Sequence, residues 1–97
     1  MITHLVLFRL KPGIAPDDER IARLRADMAA LPRQIASIRT WEFGANETVD
    51  AEAWDFGLRA SFDTREALYA YFEHPAHLPV VGRWSEVAEL AFADFET

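Results

Sequence analysis

Ile2-Thr3-His4-Leu5-Val6-Leu7-Phe8-Arg9-Leu10 is the stretch that decides the fold. Its β-branched and aromatic content reads as a strand over about residues 2–10. Alternation then points His4, Val6 and Phe8 one way and Leu5 and Leu7 the other, so both faces are apolar and both need cover. The segment lacks the basic leader and small-residue cleavage site of a signal peptide, so it is read as part of the fold. Its apolar runs are also far short of the roughly 20 residues that cross a bilayer.

Working outward, Lys11-Pro12-Gly13 breaks the strand, and Pro16 followed by Asp17, Asp18 and Glu19 marks a helix start at the positive end of its dipole. Ile21, Leu24, Met28 and Leu31 recur at spacings of three and four, which predicts a helix over 16–31 that Pro32 stops. Residues 38–44 read as a second strand with Trp41 and Phe43 on one face, and Gly44 to Asp50 as turn and loop. Trp54, Phe56, Leu58, Ala60 and Phe62 then alternate with Asp55, Gly57, Arg59 and Ser61, which predicts a third strand. Asp63 with Glu66 resembles a capping box opening a short helix, with Leu68, Tyr71 and Phe72 inward and Pro75 at its end. Val80, Val81, Trp84, Val87 and Ala88 form a weaker helical stripe over 78–88. The tail 90–95 closes as a strand with Leu90, Phe92 and Asp94 on one side.

The predicted order is βαββααβ, a ferredoxin-like α+β fold with a four-stranded antiparallel sheet and helices on one face. The leucines of strand one lie on the other face, and in so short a chain the expected cover is a second copy. A homodimer through the sheet face opposite the helices follows.

Composition narrows the function classes. The 97 residues are read as one domain spanning 1–97, and 51% hydrophobic content is enough for a core. Ten basic against 16 acidic residues give a net charge of −6, which repels phosphate backbones and anionic lipid, so neither nucleic acid nor membrane is an expected partner. There is no cysteine, glycine-rich phosphate loop or nucleophile elbow, and no cofactor is expected. A cytoplasmic location is expected.

His77 is the leading candidate for chemistry, since imidazole titrates near physiological pH and can take an acidic α-proton. Tyr71 precedes it across a helix end, where its phenol could serve the imidazole or a developing enolate oxygen. The alternative is structural, with His77 starting the third helix and Tyr71 filling the core. His4 is expected beneath the helices, either as a hydrogen-bonded core residue or as a ligand contact, and His74 as a cap at a helix terminus. His74 and His77 lack a convergent carboxylate or thiolate, so no metal site is expected. A small-molecule pocket between sheet and helices would be lined by His4, Phe8, Leu24, Met28, Phe56, Leu58 and Trp84. Asp55 and Arg59 share the opposite face of strand three and are read as a charged pair at an interface.

Several motifs carry a resemblance: His4-Leu5-Val6-Leu7-Phe8-Arg9-Leu10-Lys11, Gly44-Ala45-Asn46, Trp54-Asp55, Phe62, Ala67-Leu68-Tyr69-Ala70-Tyr71, His74-Pro75-Ala76-His77 and Asp94-Phe95. In this order they resemble the stress-responsive A/B barrel (Dabb) family over nearly the whole chain. The resemblance implies a homodimeric α+β barrel in which two four-stranded sheets close face to face. It implies no single function. Tyr71 and His77 resemble the catalytic pair of the family's olivetolic acid cyclase members, which close a linear polyketide by an intramolecular aldol step. His4 matches a further pocket histidine, while Phe56 stands where those cyclases carry a histidine in strand three. Two functions are therefore compared: binding of a small apolar or carbonyl-containing ligand, and cofactor-independent cyclase or aldol-type lyase chemistry with His77 as base and Tyr71 as partner.

Overall fold

The computed structural model describes residues 1–97. It comprises β1 (Ile2–Leu10), α1 (Glu19–Gln34), β2 (Thr40–Ala45), β3 (Phe56–Phe62), α2 (Arg65–Phe72), α3 (Leu78–Val87) and β4 (Ala88–Glu96). The sheet order is β2-β3-β1-β4, antiparallel throughout, which is the expected βαββααβ topology. No helix is long and apolar enough to cross a membrane.

β1 is an inner strand of the sheet and carries apolar side chains on both faces. Val6 lies opposite Leu58 and Phe92, and Phe8 opposite Phe56 and Leu90, so one pleat face becomes a continuous apolar layer. Ile21, Leu24, Met28 and Leu31 of α1 are buried within the same core. On the other face Leu5, Leu7 and Phe95 remain 39%, 42% and 46% exposed, an uncovered apolar strip.

Four local details depart from the sequence reading, three of them because a side-chain acceptor engages a chain end. α1 begins at Glu19 with Asp18 as its N-cap, the carboxylate accepting from the Arg20 N–H at 2.9 Å. Hydrogen bonds from Arg20 hold the Asp18 pKa down at about 2. Pro16 lies before the helix, and Pro32 lies inside it. Proline there forfeits one N–H bond, yet the turn continues because Leu31 and Ile35 are buried and the Ile35 N–H reaches the Leu31 carbonyl at 3.0 Å. α2 is capped by Thr64, whose Oγ1 accepts from the Ala67 N–H at 3.1 Å, while Asp63 pairs with Arg39. β3 starts at Phe56 because Asp55 is used before it, its carboxylate accepting from the Leu10 N–H and its own N–H donating to the Phe8 carbonyl, both at 2.8 Å. Asp55 therefore does not pair with Arg59, which binds Glu42 on β2 instead.

Candidate functional site

Between the sheet and the helices lies a cavity of about 370 Å³. β1 supplies His4, Val6 and Phe8, α1 Met28, and β3 Leu58. Tyr71 and Phe72 come from α2, and His77 with Val80, Val81, Trp84 and Ser85 from the start and body of α3. Leu90 and Phe92 of β4 complete the wall. Phe92 is 66% exposed on this edge strand, so it stands at the mouth. A small organic molecule fits such a volume, and the lining is apolar apart from a few polar groups, the usual make-up of a ligand site.

Those polar groups are held in definite states. His77 sits at the N-cap of α3 without capping it. Its Nδ1 lies 3.1 Å from the carbonyl of Phe72, the last residue of α2. A carbonyl can only accept, so Nδ1 carries the hydrogen and Nε2 of the neutral ring keeps its lone pair. Burial lowers the His77 pKa; the Phe72 bond partly opposes this, and His4 and His74 push it further down. The imidazole is thus neutral at physiological pH.

The Tyr71 ring lies 4.1 Å, centroid to centroid, from His77. Burial, helped by the charge of Asp94, raises the Tyr71 pKa, so the phenol stays protonated and able to donate. His4 faces Asp94 across the β1–β4 ladder and its Nδ1 is 2.5 Å from the Asp94 carboxylate. The His4 ring lies 5.7 Å from Tyr71 and 5.3 Å from Phe72.

The Tyr71 hydroxyl and the Nε2 atoms of His4 and His77 have no partner in the chain, yet they are not sealed in protein as the indole nitrogens of Trp41 and Trp84 are. All three residues are buried and line the cavity. A phenol and two imidazole nitrogens therefore open onto one apolar space.

Of the residues expected at the pocket, the structure gathers His4, Phe8, Met28, Leu58 and Trp84, together with Tyr71 and His77. Leu24 and Phe56 are not among the lining residues. Leu24 is buried in the core, and Phe56 stacks on Phe43 at 5.7 Å and packs against Trp84, behind the cavity wall. The His74 side chain caps no helix carbonyl and instead accepts the Ala76 N–H at 3.0 Å, while its backbone N–H donates to the Tyr71 carbonyl at 3.1 Å. No three His, Asp or Glu side chains are grouped to hold a metal ion. The sequence reading missed Val6, Phe72, Val80, Val81, Ser85, Leu90 and Phe92 in the lining and Asp94 as the partner of His4. The only sequence signal for the last three was the shared face of Leu90, Phe92 and Asp94.

The family model for the stress responsive A/B barrel domain matches residues 2–97. An uncharacterized protein of Streptomyces coelicolor is 40% identical over 96 residues, covering 99% of each chain. A dimeric protein of unknown function with a ferredoxin-like fold from Bacteroides fragilis superposes with a TM-score of 0.82 at 30% identity, over 99% of this chain and 95% of that one. A hydroxynitrile lyase from Passiflora edulis has the same TM-score of 0.82 at 15% identity, over 97% of this chain and 90% of its own, a likeness of fold alone.

Proposed function

The chain belongs to the stress responsive A/B barrel domain family, and we propose that its cavity binds a small, mostly apolar compound bearing a carbonyl group. One observation carries this reading: the Tyr71 hydroxyl and the free nitrogens of His4 and His77 open together into an otherwise apolar space. None of these three atoms is engaged within the chain, so a ligand can pair with them without breaking a bond of the protein. A ligand carbonyl accepting from Tyr71 satisfies one of them, and the ligand's apolar body rests on Met28, Leu58 and Val80. The working unit is a homodimer in which a second copy covers Leu5, Leu7 and Phe95. The uncovered strip supports this, as does the dimeric relative from Bacteroides fragilis.

A second reading is favoured by the state of His77. A neutral imidazole with Nδ1–H tied to a backbone carbonyl presents Nε2 as a base, and Tyr71 beside it presents an O–H to an enolate oxygen. An α C–H of the bound ligand loses its proton to Nε2, the electron pair becomes the enolate, and Tyr71 stabilises the oxygen. Attack of that enolate on a second carbonyl is an aldol closure, and the reverse is a lyase step.

The test is a titration of the protein with 1-phenyl-1,3-butanedione, followed by tryptophan fluorescence, to which Trp84 in the cavity wall contributes. Saturable quenching that weakens in Tyr71→Phe is expected; no binding, or binding unchanged by that substitution, contradicts the carbonyl site. Enol–keto relaxation of the same probe, followed by its ultraviolet chromophore, tests the second reading. Acceleration lost in His77→Gln is expected, and no acceleration refutes it.

A further inference from the structure

Two imidazoles reach this cavity, and they differ in what stands behind them. His77 leans on a neutral carbonyl, whereas His4 leans on the carboxylate of Asp94. We propose that Asp94 and His4 form a second proton-transfer pair of the site, with His4 accepting a proton from a bound ligand and Asp94 as its positioning residue.

The pair is built by strand register. His4 lies on the central strand, and its cross-strand partner on β4 is Asp94, so backbone pairing alone brings the two side chains to the same face. His4 is buried, and the Asp94 side chain, 25% exposed, reaches it at 2.5 Å. The carboxylate accepts the Nδ1–H and thereby selects the ring form whose Nε2 is bare. Tyr71, Phe72 and Phe92 surround the ring at 5.7, 5.3 and 6.1 Å and fix its plane. When Nε2 takes a proton, the positive charge forms beside a carboxylate that is already in contact, so no group has to move to stabilise it. His77 has no such support. The step balances simply: the ligand C–H bond breaks, the proton goes to Nε2 of His4, and the electron pair stays on the ligand as an enolate whose oxygen accepts from Tyr71.

This inference rests on the carbonyl-binding reading and is tested so that the two can fail separately. In the ligand-free full-length protein labelled with ¹⁵N-histidine, long-range proton–nitrogen correlation is expected to find His4 protonated at Nδ1 and bare at Nε2. Asp94→Asn is expected to mix or reverse that tautomer. With 1-phenyl-1,3-butanedione, Asp94→Asn should slow enol–keto relaxation by about a hundredfold, the lower range for general-base catalysis, while its Kd stays within about threefold of wild type. His4 found with Nε2 protonated in the wild-type protein overturns the pair whatever the ligand does, and so covers an Asp94→Asn variant that fails to fold. Relaxation at the wild-type rate in a folded Asp94→Asn protein also overturns it, and leaves ligand binding standing. Failure of the wild-type protein to bind the probe sinks the carbonyl-binding reading and this inference with it, even if the tautomer is as expected.

Discussion

Replacing Tyr71 by Phe removes one oxygen and leaves the ring. The ring is buried and packs on Phe62 at 5.0 Å and on His77 at 4.1 Å, contacts that phenylalanine keeps. A buried tyrosine whose hydroxyl is hydrogen-bonded within the protein typically loses about 1 kcal/mol on such a change, and more if the orphaned partner stays dry. The Tyr71 hydroxyl has no such partner and faces the cavity, so the cost to folding is expected to be near zero. Ligand affinity should behave oppositely, since the lost bond to a carbonyl is worth about 1–1.5 kcal/mol, roughly tenfold in Kd. Urea unfolding followed by tryptophan fluorescence gives the first quantity, and titration with 1-phenyl-1,3-butanedione gives the second. A variant destabilised by more than about 1.5 kcal/mol whose Kd is unchanged would refute the reasoning and make Tyr71 a structural residue.

Three further outcomes are expected. Burial depresses the His77 pKa below its ordinary value of 6.5 in the folded state, so the unfolded chain binds more protons as pH falls; the stability this group contributes is present above that value and is lost below it, and His77→Gln should flatten the slope of urea midpoints between about pH 7.5 and 5. Leu5→Lys with Leu7→Lys removes two side chains that are 39% and 42% exposed in one copy; at about 1 kcal/mol each, counted over both copies, the dimer should weaken roughly a thousandfold, and sedimentation that still shows a tight dimer would count against the sheet-to-sheet interface. Asp55→Ala removes the acceptor for the Leu10 N–H at the end of the central strand and should cost about 1–2 kcal/mol in urea unfolding, whereas a neutral result would show the bond to be dispensable.

What could be read from the sequence follows the physics of periodicity. The alternation from Phe56 to Phe62 and the Ile21–Leu24–Met28–Leu31 stripe repeat locally, so strand and helix were legible, as was the two-faced character of Ile2–Leu10. Termini were not, because neighbouring residues offered rival caps. Asp63 and Thr64 can both open a helix, and only the position of Arg39 shows why Asp63 is engaged elsewhere. Within the site, Tyr71 and His77 were visible as a pair because one short turn joins them. Leu24 and Met28 share a stripe, yet only Met28 reaches the cavity, a distinction set by how the helix lies on the sheet. Asp94 was the hardest to place, since its contact with His4 spans 90 positions and depends on β4 pairing with β1 in one register.

The measurement that bears most directly on the account is a crystal structure of the protein with 1-phenyl-1,3-butanedione bound. The account predicts the probe between sheet and helices, with a carbonyl oxygen within hydrogen-bond reach of the Tyr71 hydroxyl and the phenyl group against Met28 and Val80. A probe seated elsewhere, or a Tyr71 hydroxyl that makes no contact with it, would contradict the assignment of this cavity as the functional site.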